Sequence, residues 1–337
     1  MTADALGPPA RVHRLDDEAS GLVAFFVLDD LSLGPAFGGI RMRGYRDDRE
    51  AREDAAGLAR QMTLKCSFAE LDAGGGKAVV RADRLVDRAR ACRVLGDFVE
   101  SLGGEFRTAG DFGTTRTDLE RIAERTRYVV DPADLELFGE ASAVGLEAAV
   151  TRCAARLGFD GLDGVRVLVQ GVGDIGGPLA RRLARSGARV TVADPDPVAI
   201  DRLRATAAVD VVPPDRALST ETDVLAPCAV GGVLDLETAR RLPARAVVPG
   251  ANRVLASERA GDLLWERGVL VAPDFVVNAG AVIRGALDVL RGAPAREDEL
   301  AAIGERLDAV FDDADRWNLP PERVAIDRAV ARVLSSR

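Results

Sequence analysis

The chain has 337 residues, enough for about two domains. Apolar residues make up 47% and charged residues 29%, the balance of a globular protein rather than a disordered one. The net charge of −9, with both signs mixed along the chain, excludes a broad basic footprint for nucleic acid; it does not exclude an anionic cofactor held by local donors.

The opening MTADALGPPARVHRL lacks the apolar segment of a secretory leader, so a cytoplasmic location is expected. Leu22 to Leu28 is the longest purely apolar run; it is too short to cross a bilayer and reads, with Asp29, as a strand. GPAFGGIRM, residues 34–42, reads as a closely packed loop. Residues 48–68 form a helix with Ala51, Ala55, Leu58 and Met62 on one face, delivering Lys65 at its end. A glycine triplet follows as a loop, then KAVV as a strand. Residues 86–102 and 118–126 are helical. TAGDFGTT, residues 108–115, is a loop, and residues 128–131 make a short strand. A helix is expected over 143–157.

From there the pattern changes. VRVLVQ, a glycine turn, a helix over 175–186 and ARVTVAD form strand, helix and strand in succession. VDVV, DVLAP, RAVVPG and VLVAP alternate with short helices, which predicts an α/β fold with a doubly wound parallel sheet. Two helices, 296–317 and 321–335, close the chain.

One histidine, His13, leaves no material for a histidine triad or a multi-histidine metal site. Cys66, Cys92, Cys153 and Cys228 lack C-x-x-C spacing, so no metal is expected and the thiols read as reduced packing residues.

GVGDIG, Gly171 to Gly176, fits G-x-G-x-x-G in the setting that gives the pattern meaning: a strand before it, a helix after it, and Asp194 ending the next strand. Gly171 permits the turn, Gly173 lets backbone approach a pyrophosphate, and Gly176 allows close helix packing. Asp194 would accept hydrogen bonds from ribose hydroxyls and repel a 2′-phosphate. NAD is therefore favoured, while Arg202 and Arg204 downstream leave NADP open.

Lys65 and Lys77 stand twelve residues apart beside apolar sequence, and Asp111 sits in a second glycine-flanked loop. Such lysines can be surface residues whose stems cover apolar neighbours. The glycine triplet argues for something packed closely against it. Two lysines also divide naturally into roles. One holds an anion; the other, pushed toward neutrality by burial and by its cationic neighbour, serves as a base.

LGPAFGGIRM, MTLKCSFAELDAGGGKAVV, TAGDFGTT, QGVGDIGG, APCAVGG, PGANRVL and APDFVVNAGAVI occur in this order, and together they resemble the Glu/Leu/Phe/Val dehydrogenases, on the leucine dehydrogenase side. The resemblance runs nearly end to end. It implies oxidative deamination of an L-amino acid to its 2-oxo acid and ammonia, and the reverse reductive amination. By position, Lys65 would hold the substrate carboxylate, Lys77 would activate water, and Asp111 would exchange protons with the amine. Phe37, Gly38, Gly39, Met62, Ala109, Asn278, Val282 and Gly285 fall at substrate-binding positions. Gly171, Gly173, Asp174, Ile175, Gly176, Asp194, Pro195, Cys228, Ala229, Asn252 and Asn278 fall at cofactor-binding positions. The resemblance also implies two domains with a cleft between them. A substrate domain over 1–138 is joined by the helices of about 310–337, an NAD-binding domain covers 139–309, and the whole forms a homo-oligomer.

Three departures stand out. DPADLELFGEASAVG, from Asp131, is shorter than the family's corresponding loop, with Ser142 at the place of a threonine. Gly110 replaces a glutamate. Phe37 stands where glutamate enzymes carry lysine, and Gly285 where the leucine branch carries valine, which points to an apolar or aromatic side chain in the substrate. A shikimate-type hydroxy-acid dehydrogenase and a non-catalytic NAD- and amino-acid-sensing homologue are the alternatives. The lysine pair argues against the first, and its survival beside Asp111 against the second.

Overall fold

A computed structural model describes residues 2–337. The chain divides into two compact units. The first holds the residues up to Leu135, Gly285–Ala293 and Ile326–Arg337; the second holds Glu136–Arg284 and Pro294–Ala325. The return to the first unit thus comes in two pieces, the later beginning at Ile326 rather than near 310.

The first unit is built on a five-stranded sheet of β1 (Arg11–Asp17), β2 (Leu22–Asp30), β3 (Ala36–Arg43), β4 (Gly74–Arg81) and β5 (Phe106–Gly110). Their order is β1-β2-β4-β3-β5; β1, β2 and β4 run antiparallel, and β3 is parallel to both β4 and β5. Successive strand residues point to opposite faces. On one face Phe26, Ile40, Met42, Ala78, Val80 and Phe106 pack against α2 (Arg88–Ser101) and α3 (Arg116–Ala123). On the other, Phe25, Val27 and Val79 meet the alanine-rich side of α1 (Asp48–Phe68). Asp47 starts α1 by accepting a hydrogen bond from the Glu50 N–H.

Three readings from sequence are corrected here. GPAFGGIRM is mostly strand β3, and the glycine triplet belongs to strand β4. These glycines are in strands because the structure closes on them. A Cβ on Gly75 would lie 2.1 Å from the Thr63 nitrogen of α1, and one on Gly76 2.8 Å from the Phe106 ring. The close neighbour that the triplet demands is the protein itself. β1 escaped notice because RVHRLDD is a charged edge strand with no apolar alternation; residues 128–131 contribute only an isolated bridge, Thr108 to Val129.

The second unit begins with α4 (Leu135–Arg156). DPAD is a short turn whose Asp131 accepts the Ala133 N–H, and the rest of the segment read as a shortened loop is the first three turns of this helix. Ser142 spends its hydroxyl on the Phe138 carbonyl, 3.0 Å away in the same helix. The sheet comprises β6 (Arg166–Gln170), β7 (Arg189–Ala193), β8 (Asp210–Val211), β9 (Val224–Pro227), β10 (Ala246–Val247) and β11 (Leu270–Val271). All its pairs are parallel, in the order β11-β10-β9-β6-β7-β8. This is the Rossmann order, with the direction of winding reversing between β6 and β9. The helices are α5 (Gly176–Arg185), α6 (Pro197–Arg204), α7 (Leu236–Arg241), α8 (Glu258–Glu266), α9 (Asp274–Val277), α10 (Gly280–Arg291), α11 (Glu297–Ala301), α12 (Ile303–Trp317) and α13 (Pro321–Ser335). α10 and α13 each run from one unit into the other. Among the described residues no helix is long and apolar enough to cross a membrane, and no cluster of His, Cys, Asp or Glu is placed to hold a metal ion.

Candidate active site

In the first unit, alternation puts Phe37, Gly39, Arg41 and Arg43 of β3 on the α1 face, together with Gly75 and Lys77 of β4. Lys77 is buried, and its Nζ lies 2.6 Å from Asp111 Oδ2. Asp111 follows the end of β5, so the pair reaches over β3, which runs between β4 and β5. Gly39 makes that reach possible: a Cβ there would sit 2.5 Å from the Gly110 carbonyl oxygen and 3.0 Å from Asp111 Cβ. Asp111 is held from its own loop as well, its carbonyl accepting the Thr114 N–H at 2.9 Å, while Thr115 and Asp118 cap α3 reciprocally.

Burial pushes the Lys77 ammonium below its ordinary range, even with Asp111 and its opposing charge beside it. Asp111 moves the other way. Burial alone would raise its carboxyl, but Lys77 and Arg41 bring it down to about 2. The site therefore combines a lysine inclined to give up its proton with a carboxylate that is charged at rest.

Lys65 is buried in the last turn of α1, and Met62, half-buried, lies three residues before it. Gly38 fits against the Gly76 carbonyl, and Phe37 is buried at 8% exposure. Ala109 lies on β5 beside Gly39 in the strand register. Val282 and Gly285 are three residues apart on α10, hence on one helix face. Arg284 between them is half-buried.

Arg41 was missed from sequence. Its Nε lies 3.0 Å from the same Asp111 oxygen that Lys77 contacts. Once GGIRMR is read as a strand, the alternation of Ile40 and Met42 with Arg41 and Arg43 points both arginines to the lysine face. A second overlooked signal is compositional: Lys65 and Lys77 are the two lysines of a chain with 45 basic residues.

In the second unit, the turn after β6 is shaped by its glycines. Gly171 has φ +90°, and a Cβ there would meet Ala229 at 2.9 Å; one on Gly176 would lie 1.9 Å from the Gly171 carbonyl oxygen. A Cβ on Gly173, in contrast, would meet nothing within 4 Å, which leaves that backbone open to a ligand. Asp174 beside it is exposed, and Ile175 caps α5 with no side-chain hydrogen bond, as a phosphate-binding helix start requires. Asp194 follows β7; its two oxygens accept the Val172 and Asp196 N–H groups, each at 2.8 Å, and each retains a lone pair for a ribose hydroxyl. Pro195, Arg202 and Arg204 are exposed. Cys228 packs against Gly176 and Gly250, and burial pushes its thiol up to about 12, so it lends bulk and no chemistry.

Asn278 is buried and donates to the Gly250 carbonyl at 3.2 Å and to Asn252 Oδ1 at 2.9 Å. Its own Oδ1 is buried with no partner. An orphaned carbonyl oxygen fits the carboxamide N–H of a nicotinamide. Open Gly173, the start of α5, Asp194 and Asn278 together fit a dinucleotide. The remaining thiols, Cys66, Cys92 and Cys153, are all buried and pushed up to about 12. His13 stacks edge-on against Phe98 in the first unit, a packing role.

The family model for the Glu/Leu/Phe/Val dehydrogenase dimerisation domain matches residues 9–128, and that for Glutamate/Leucine/Phenylalanine/Valine dehydrogenase matches 198–307. The leucine dehydrogenase of Thermoactinomyces intermedius is 38% identical over 94% of this chain and 88% of its own. A phenylalanine dehydrogenase from Lysinibacillus sphaericus is 36% identical over 80% of this chain and 74% of its own. The L-tryptophan dehydrogenase structure from Nostoc punctiforme matches with a TM-score of 0.84 at 30% identity, covering 99% of this chain and 98% of that one. The chain belongs to the Glu/Leu/Phe/Val dehydrogenase family and is an amino acid dehydrogenase.

Proposed function

We propose that the protein oxidises an apolar or aromatic L-amino acid with NAD, releasing the 2-oxo acid and ammonia, and catalyses the reverse amination. The observation that carries this reading is the Lys77–Asp111 pair, 2.6 Å apart, with the lysine biased toward its neutral form. In the forward direction the Lys65 ammonium binds the substrate carboxylate. Asp111 accepts a proton from the substrate ammonium, leaving an amine whose nitrogen lone pair can assist loss of hydride from Cα. The bound nicotinamide supplies the hydride acceptor. Neutral Lys77 removes a proton from water as the water oxygen attacks Cα of the iminium. The carbinolamine collapses as Asp111 returns its proton to nitrogen: the C–N bond breaks, ammonia leaves, and the hydroxyl proton passes to water as the carbonyl forms.

NAD is preferred to NADP because Asp194 keeps an acceptor for ribose hydroxyls and would repel a phosphate at the same place. The preference for an apolar side chain rests on buried Phe37 and on Gly285, which stands on the α10 face shared with Val282 and brings no polar side chain to it. Assembly into a homo-oligomer is supported by the dimerisation-domain match over residues 9–128; light scattering on the purified protein tests it.

The decisive assay follows loss of reduced-nicotinamide absorbance with a panel of 2-oxo acids, with and without ammonium, for NADH and NADPH. Ammonium-dependent turnover with branched-chain or aromatic 2-oxo acids and NADH is expected. Reduction without ammonium would instead make the enzyme a hydroxy-acid dehydrogenase. Turnover with 2-oxoglutarate alone would overturn the side-chain assignment, and equal use of NADPH the role of Asp194.

A further inference from the structure

We propose that Arg41 is a positioning residue for proton transfer: held by Asp54, which Tyr45 fixes in turn, its guanidinium holds the Asp111 carboxylate against Lys77. This deepens the dehydrogenase reading and rests on the roles given there to Lys77 and Asp111.

The geometry is a relay of buried or half-buried charges. Arg41 Nε lies 3.0 Å from Asp111 Oδ2, and Arg41 Nη1 3.4 Å from Asp54 Oδ2. The Tyr45 hydroxyl donates to that same Asp54 oxygen at 2.7 Å, and Arg43 Nη2 approaches it at 3.7 Å. The Arg43 guanidinium in turn lies over the Tyr45 ring, 4.3 Å from its centroid. Asp54 stands on α1, Arg41 on β3 and Asp111 past the end of β5. One planar guanidinium therefore ties the helix to the reacting loop through two carboxylates. A lysine could not do this, because its ammonium is a point charge without the fixed fork.

Two consequences follow, one for position and one for charge. Lys77 and Arg41 share a single oxygen of Asp111, so Arg41 fixes the direction from which Lys77 meets the carboxylate. Arg41 also lies close enough to disfavour a charged Lys77 and to favour a charged Asp111. Removing its charge moves both groups upward: the lysine keeps its proton to higher pH, and the carboxyl gains one more readily.

The test compares wild type with Arg41→Met, Arg41→Lys and Asp54→Asn. Because the chain has two lysines, labelling lysine with carbon-13 at Cε gives two side-chain NMR signals, and three in Arg41→Lys; Lys77→Arg, alone and in that background, assigns the Lys77 signal. In Arg41→Met the Lys77 titration should move up by about one pH unit or more. The alkaline shift should appear again in the pH profile of kcat/KM. Arg41→Lys keeps the charge and loses the fork, so it should leave the titration nearly in place while lowering kcat by about tenfold or more. KM for the amino acid should move little in either variant, since Lys65 holds the carboxylate. Asp54→Asn should lower kcat with Arg41 intact. An unmoved Lys77 titration in folded Arg41→Met, or losses confined to KM, would overturn the proposal. Should Arg41→Met fail to fold, Arg41→Lys and Asp54→Asn decide it: wild-type kcat in both would overturn it. If the wild type turns over no amino acid, the dehydrogenase reading fails, and the lysine titration still tells whether Arg41 governs the pair.

Discussion

Gly39→Ala is the perturbation that most directly links this fold to its chemistry. The new methyl would point across the gap that the Lys77–Asp111 pair bridges. It would sit 2.5 Å from the Gly110 carbonyl oxygen and 3.0 Å from Asp111 Cβ. Ordinary contact begins near 3.4 Å, so the end of β5 must retreat by about 0.9 Å, the difference between 3.4 and 2.5. Passed on to the carboxylate, that displacement stretches the 2.6 Å Lys77–Asp111 contact to about 3.5 Å, outside a useful hydrogen bond. Overpacking of this kind costs about 1–3 kcal/mol of stability. A misplacement of about 1 Å in a reacting group costs about a hundredfold in rate. The expected outcome is a folded enzyme with a modestly lowered Tm and a kcat about two orders of magnitude down. Steady-state kinetics and thermal unfolding measure the two effects separately. Gly44→Ala is the control: a Cβ there meets only Asp83, at 3.9 Å, and both quantities should stay near wild type. A Gly39→Ala enzyme with wild-type kcat would refute the idea that this glycine holds the gap open.

Lys77→Arg should fold and lose about two to four orders of magnitude in kcat, because a guanidinium keeps its proton at any working pH; comparable turnover would remove Lys77 as the base. The rate–pH profile should rise through a limb below about 10.4, the ordinary lysine value, since burial lowers the Lys77 pKa; a limb at or above that value would contradict this bias. Asp111, depressed to about 2 in the fold, contributes stability that is full above its unfolded value of about 3.9 and is lost as pH falls toward 2. Acid unfolding of Asp111→Asn should therefore show a weaker pH dependence in that window than wild type, and an identical dependence would count against the pairing. Thiol alkylation at neutral pH should leave activity intact, because burial pushes all four cysteines up to about 12; rapid inactivation would show a thiol more reactive than its burial allows.

The second unit was legible from sequence because its central strands, β6 and β9, are short, largely buried apolar runs, and the turn after β6 is written in glycines that its backbone geometry needs. The first unit was harder. β1 is an exposed edge strand whose charged residues carry no apolar period. β3 and the first half of β4 were hidden by their glycines, which suggest turns when read locally. Their actual cause is non-local: the Gly76 and Gly110 carbonyls come too close for a Cβ on Gly38 and Gly39 of β3, and Thr63 of α1 and the Phe106 ring for one on Gly75 and Gly76 of β4. The start of α4 was masked by aligning DPADLELF with a loop, although Asp131 followed by Pro132 is a good helix-entry pair. Lys65, Lys77 and Asp111 stood out in the sequence as residue types near glycines. Arg41, seventy residues from Asp111 in sequence, could be found only once strand order put β3 beside β5.

One feature of composition bears on the chemistry more than any motif. Of the 45 basic residues, two are lysines, both buried and both at the candidate site; the other 43 are arginines. For salt bridges, capped helices and solvated faces, arginine serves as well as lysine, and here it serves throughout. It cannot replace lysine where a cation must surrender its proton, because its pKa stays above about 12 even when buried. Lysine kept at Lys77, in a chain otherwise built with arginine, fits the neutral amine proposed there; at Lys65, proposed to act as an ammonium, arginine's charge alone would serve. Arg41 completes the contrast. It stands beside that lysine, permanently charged, and its charge makes the lysine's proton easier to remove. The two cations contact one carboxylate oxygen and are not interchangeable: exchanging them, as Arg41→Lys with Lys77→Arg, would preserve the net charge and should abolish turnover.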